Sequence, residues 1–218
     1  TLSPTEFVDA DHPAVREYAR AAIGDAETDR EKAIRLYLAV RDDIRYDPYD
    51  IQLTVDGMKA STALSEGHGW CVNKSVLLAA AARSVGIPAR LAFADVRNHL
   101  NTKRLSELMG SDVFAFHGTT ELLLDGHWVR CTPAFNRELC DRFGVAPLEW
   151  DGEHDSLFQP ATDDGREFME YVADRGSYDD LPLDEMIEVF TELYPKAIDA
   201  WTDGGVEGDF GAEGEAER

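Results

Sequence analysis

A thiol at the mouth of a helix and an imidazole on a later strand are the residues of this chain whose types and order could do chemistry. The segment Gly67-His68-Gly69-Trp70-Cys71-Val72-Asn73-Lys74-Ser75 passes from a Gly-rich loop into Val76-Leu77-Leu78-Ala79-Ala80-Ala81-Ala82-Arg83, a run of strong helix formers closed by Gly86-Ile87-Pro88. Cys71 therefore falls in a first helical turn. Unpaired N–H groups and the positive end of the dipole there favour thiolate over thiol, which predicts a pKa drawn from about 8.5 towards 7 or below. Such a sulfur is a nucleophile at neutral pH. His117 lies in the strand-like run from Val113 to Leu124, and a second run, His127-Trp128-Val129-Arg130-Cys131-Thr132, follows it. Asp125-Gly126 between them is the two-residue turn that strand twist favours, so Asp125 reads as a turn residue and the two runs as a hairpin. Ala89 to Val96 reads as a further strand. If the helix packs on this antiparallel sheet through its small face, Ala79 to Ala82, His117 can reach Cys71 and take its proton.

In this order and spacing the chain resembles the transglutaminase-like superfamily, within the wider papain-like group of thiol enzymes. The matching residues are Cys71 at the helix start, the turn Gly86-Ile87-Pro88-Ala89-Arg90, His117 on a strand and Trp128 on the next, and the likeness spans roughly residues 30 to 135. The resemblance implies an α+β fold with a papain/transglutaminase-like core, in which N-terminal helices and the Cys helix pack on an antiparallel sheet. It also implies acyl transfer from a peptide or protein amide through a thioester on Cys71, with hydrolysis favoured over transfer to an amine, and with no metal or cofactor. One position departs from the family pattern. Four residues after Trp128, where the family carries Asp, stands Thr132. A hydroxyl can orient the ring of His117 but brings no charge to an imidazolium. Asn136, just beyond Pro133, is a second candidate orienter, as the Asn of papain-like enzymes is. Gln52 is a candidate oxyanion donor by the same analogy, beside the Cys71 N–H. Trp70 and His68 are expected to line the cleft.

Composition excludes several other classes. At 218 residues, 44% of them hydrophobic, the chain can bury a core, and one domain over residues 1–202 is expected. The formal charge is −22, with sixteen Arg to five Lys and twenty-four Asp to nineteen Glu, an acidic shell of the kind halophile proteins carry. A surface of that sign repels phosphates, so neither nucleic acid nor an anionic membrane is an expected partner. No stretch approaches 18 apolar residues and Thr1 to Phe7 lacks the pattern of a signal peptide, which together with three Cys, an odd number, predicts a cytoplasmic protein without disulfides. Cys131 and Cys140 read as small buried hydrophobes. His12, His99, His127 and His154 read as surface or capping residues. Two rival readings come from other classes. His68, Cys71, His127, Cys131 and Cys140 would supply soft ligands for a structural zinc, though at irregular spacing. A transglutaminase-like binding domain without catalysis is the other, favoured by Thr132.

The elements that must hold the thiol are legible upstream. Asp11-His12-Pro13 opens a helical pattern through Val15, Tyr18, Ala19 and Ile23, closed by Gly24. A second helix has Thr28 or Asp29 as cap, Glu31 in its first turn and a stripe of Ala33, Ile34, Leu36, Tyr37, Val40 and Ile44. Tyr46 to Asp50 breaks it, and Gln52 to Leu64 reads as a loop ending in a short turn at Ala60-Ser61-Thr62-Ala63-Leu64. Downstream, Phe168 to Val172 reads as a strand and Leu181 to Tyr194 as a helix with Met186, Ile187, Phe190 and Leu193 on one face. The acidic, Gly-rich tail 203–218 is expected to lack order.

Overall fold

The two helices expected before the thiol form, the second with the cap its sequence offers. In the computed structural model, which describes residues 1–98, 101–157 and 169–217, α1 spans Pro13–Ile23 and α2 spans Asp29–Asp43. Thr28 closes a capping box at the start of α2: its hydroxyl accepts from the Glu31 N–H at 3.2 Å while the Glu31 carboxylate accepts from the Thr28 N–H at 3.1 Å. A two-residue strand β1 (Arg45–Tyr46) follows, then α3 (Ala60–Glu66), which makes a full helix of the segment expected to be a turn, then β2 (His68–Gly69). β1 and β2 pair in parallel, Arg45 with His68 and Tyr46 with Gly69, and so fix the chain immediately before Cys71.

The thiol helix α4 runs Cys71–Ser84, and all of its residues except Ser84 are buried. That burial explains why its apolar residues are not confined to one stripe. It touches α1, α2 and α3 as well as the sheet. Lys74, fully buried in its first turns, donates from Nζ to the carbonyl oxygens of Arg41 (2.9 Å) and Ile44, capping the C-terminal end of α2 with a cation.

The sheet is antiparallel throughout, in the order β5-β4-β3-β6. Its strands are β3 (Ala89–Asn98), β4 (Val113–Leu124), β5 (His127–Cys131) and β6 (Met169–Tyr178), with α5 (Lys103–Met109) between β3 and β4 and α6 (Arg137–Phe143) after β5. The β4–β5 turn has Asp125 at φ 50° and Gly126 at φ 86°, the two left-handed residues of the expected hairpin, and Asp125 also receives an ion pair from Arg30. β6 begins at Met169 and continues six residues past the expected strand, while Phe168 and His99 lie outside the described residues.

After β6 come α7 (Leu183–Leu193), α8 (Pro195–Thr202) and α9 (Phe210–Ala216). The buried side of α7 is Leu183, Met186 and Phe190, whereas Leu193, expected on that face, is the last residue of the helix and is 46% exposed. Residues 210–216, within the tail expected to lack order, form α9, and Phe210 is buried against the rings of Tyr46 and Phe143 at 5.7 and 5.1 Å. Among the described residues no helix is long and apolar enough to cross a membrane.

Candidate active site

Cys71 is the first residue of α4, and Trp70 before it offers no side-chain cap. The first-turn N–H groups are therefore free of a capping oxygen and available to the sulfur. β4 crosses this turn at Gly118, the residue after His117. A Cβ placed on Gly118 would lie 2.9 Å from the Val72 Cα and 3.1 Å from the Cys71 carbonyl oxygen, so the strand reaches the thiol turn only because this residue has no side chain. The contact brings the Gly118 N–H to the sulfur, with His117 the preceding residue of the strand. Both Cys71 and His117 line one cavity of about 50 Å³.

Immediately before His117 the strand carries a bulge. Ala94 pairs with His117 and Val96 with Phe114, so Asp95 alone faces Ala115 and Phe116. Phe116 adopts φ 56°, uncommon for a residue with a side chain, and gives its N–H to the Asp95 carboxylate at 3.2 Å. Asp95 is held in turn by a bidentate Arg175 (Nη2 to Oδ2 2.9 Å), whose guanidinium lies 4.4 Å from the centre of the Phe116 ring. Bulges of this kind re-aim the neighbouring side chain. Nothing in the sequence pattern signals the group, because Asp95 and Arg175 are 80 residues apart.

The electrostatics differ from those expected of a helix-start thiol. Burial pushes the Cys71 thiol up to about 11, while the N–H groups of Gly118, Val72 and Cys71 itself pull it the other way without prevailing. Burial also draws His117 down to about 4. Its Nε2 is buried without a hydrogen-bond partner among the described residues. At rest the pair is a thiol and a neutral imidazole, not the thiolate expected from helix position alone, because desolvation of a residue only 6% exposed outweighs three N–H dipoles.

The other expected site residues separate into two groups. Trp70 lines the cavity with Cys71 and His117. Thr132 is buried close by, but its hydroxyl donates to the Gly118 carbonyl (3.4 Å), and its own carbonyl accepts from Tyr37 (3.3 Å). It thus anchors the residue after His117. Asn136 sits at the start of α6 without bonding its first-turn N–H groups, and its side-chain oxygen accepts instead from the Tyr46 N–H at 3.0 Å. Gln52 is exposed, with its amide given to Glu66 at 3.3 Å, and does not line the cavity. His68 lies outside the cavity lining too, 3.7 Å from Asp50 through Nε2. All three cysteines are buried and outside any disulfide, and among the described residues no group of three or more His, Cys, Asp or Glu is arranged to hold a metal ion.

The sequence pattern of the transglutaminase-like superfamily matches residues 16–133, just over half of the chain. The chain belongs to the transglutaminase-like superfamily. The match contains α4, β3, His117 and Trp128, and ends one residue past Thr132. A comparison with curated proteins gave no match. Among solved structures, the chain is similar to a "putative cysteine protease" from Cytophaga hutchinsonii, at 19% identity and a TM-score of 0.47. The overlap covers 61% of this chain and 40% of that one. It is similar also to a "putative protease" from Parabacteroides distasonis, at 14% identity and a TM-score of 0.38, over 57% of this chain and 25% of that one. The chain thus spans less than half the length of either.

Proposed function

We propose that the protein is a cysteine-dependent amide or peptide hydrolase that works through a thioester on Cys71. The observation that carries this reading is the shared cavity of Cys71 and His117, joined by the close contact at Gly118. With the thiol near 11 and the imidazole near 4, a preformed thiolate–imidazolium pair is a minority state. The proton therefore leaves sulfur as the bond to the substrate carbonyl carbon forms, and His117 takes it as general base. The oxyanion meets the Cys71 N–H at the uncapped end of α4. As the C–N bond breaks, the imidazolium protonates the leaving amine. Water, deprotonated by His117, then opens the thioester, releases the acid and restores the thiol. An amine in place of water would give transamidation. Thr132 acts as a positioning residue on the Gly118 carbonyl rather than as a charged orienter, and three cysteines outside any disulfide fit a reducing, cytoplasmic setting.

A non-catalytic binding domain is favoured by one observation, the absence of any charged partner for His117 among the described residues. Iodoacetamide alkylation of Cys71 against pH, followed by intact mass in wild type, Cys71→Ala and His117→Ala, separates the two. The hydrolase reading expects His117→Ala to slow Cys71 labelling at pH 7 by about 10²-fold or more, in line with the worth of a general base. Equal labelling rates in wild type and His117→Ala would establish the binding reading instead.

A further inference from the structure

In a chain with 43 acidic and 21 basic residues, the cavity at Cys71 is lined by no charged side chain among the described residues. One stretch of its wall is aromatic: Trp70 packs on Phe190 at 5.9 Å and Phe190 on Trp201 at 6.2 Å. Leu105 and Met109 of α5 add an aliphatic surface. Phe190 and Trp201 come from α7 and α8, beyond residue 133 where the superfamily match ends, so this wall is built by the chain's own C-terminal part.

Three residues of the same lining carry unpaired polar atoms. Trp70 and Trp201 are 6% and 7% exposed, and the Nε1–H of each is buried without a hydrogen-bond acceptor among the described residues, as is His117 Nε2. A buried indole N–H without an acceptor is costly and nearly always finds a partner in a native fold. Two such donors and one imidazole nitrogen around a single cavity whose lining is apolar apart from these, Tyr46 and Asn98 form the pattern of a small-molecule site: an apolar shell with a few polar atoms that fix orientation. A carboxylate or ammonium would lose its hydration here and meet no counter-charge.

We infer that this cavity is the acyl-group subsite, that it takes an uncharged, largely apolar acyl chain, aliphatic or aromatic, and that the Trp70 and Trp201 indole N–H groups donate to substrate oxygens. The assignment rests on the reading of Cys71 as nucleophile.

Activated esters test it on the whole chain. With 4-nitrophenyl hexanoate, Cys71 Sγ bonds to the acyl carbon, the C–O bond to 4-nitrophenolate breaks, the thiol proton passes to His117, and water then hydrolyses the thioester to hexanoic acid. Acylation of Cys71, read by intact mass and 4-nitrophenolate release, is expected to be at least about tenfold faster with the hexanoate than with the acetate, the scale on which apolar pockets discriminate. The anionic 4-nitrophenyl succinate is expected to react at least about tenfold more slowly than the acetate. Trp201→Phe, which keeps a ring and removes the donor, is expected to slow hexanoate acylation, and Trp201→Ala to abolish the preference for hexanoate over acetate. In a second arm Cys71→Ala, which cannot be acylated, is titrated with hexanamide and with succinamate by tryptophan fluorescence, and only hexanamide is expected to saturate. Equal acylation of Cys71 by all three esters overturns the subsite and leaves the nucleophile standing. No adduct on Cys71, with hexanamide still saturating the Cys71→Ala protein, overturns the nucleophile and the acyl role while keeping an apolar ligand site. Neither adduct nor binding overturns both.

Discussion

A thiol at a helix start is subject to two opposed influences, and their balance at Cys71 depends on something no spacing encodes. The free N–H groups of the first turn draw its pKa down, as position in the sequence predicts, but the β4 backbone at Gly118 closes over the sulfur and burial raises it to about 11. Position was legible; desolvation was not, because it is set by a strand more than 40 residues away. The same holds for Lys74, a polar residue in a helix start by sequence and a fully buried cation in the fold, drawn down to about 7 by burial. His117 gives the sharpest pH consequence. Its ring is held near 4 in the folded chain and returns to about 6.5 when unfolded, so between those values the unfolded state binds more protons and stability rises with pH. Above about 6.5 the penalty is absent; below 4 it is fully present, at most about 3 kcal/mol. Urea unfolding of wild type and His117→Asn at pH 4 and 7 should show the wild type gaining more stability across that interval than the variant. Equal gains would mean that His117 is hydrated or partnered in solution.

At the scale of elements, what the sequence announces is what chemistry fixes locally. The capping box of Thr28 and Glu31, the Asp125-Gly126 hairpin and the long run of helix formers in α4 each depend on contacts within a few residues, and each forms as expected. The pieces that escape are short or contextual. α5 and α6 are seven residues each, too few for an apolar period to register, and the β1–β2 pair has two residues a side. The Phe116 bulge is held by Asp95 and Arg175 from two other strands, so no window of sequence contains it. Gly118 is the joint on which these elements meet the thiol. Gly118→Ala would put a methyl group 2.9 Å from the Val72 Cα, a backbone atom that cannot rotate away, so α4 and β4 must separate. The expected cost is about 1 to 3 kcal/mol, measured as a lowered urea midpoint with unchanged m-value, and Cys71 should alkylate faster as it becomes hydrated. A variant of wild-type stability and reactivity would show that the strand does not rest on the helix at this point.

Over the whole molecule, the C-terminal third returns to the region that matches the superfamily, and composition misleads about how it does so. The tail reads as acidic and Gly-rich, yet Phe210 inserts among Tyr46, Tyr49 and Phe143 while Glu213 takes a hydrogen bond from Tyr49 and an ion pair from Arg104. One aromatic residue in a polar segment suffices to dock it, which a mean over sixteen residues conceals. Ending the chain at Asp203 should therefore lower the melting temperature by several degrees, as loss of a buried Phe implies, rather than leave it unchanged as removal of a loose tail would. Charge acts on the same scale. With a formal charge of −22, self-repulsion opposes the folded state, and added salt weakens that repulsion. Salt also weakens the ion pairs, but those such as Arg35–Asp25 and Arg97–Asp112 are exposed, and pairs of that kind are worth about 0 to 1 kcal/mol each. The long-range term wins, so raising KCl from 0.1 to 2 M at pH 7 should raise the melting temperature. Near pH 4.5, the sequence isoelectric point, the net charge vanishes and the same addition should have little effect or a small negative one. A melting temperature that falls with KCl at pH 7 would show that local ion pairs, and not the acidic shell, govern the stability of this fold.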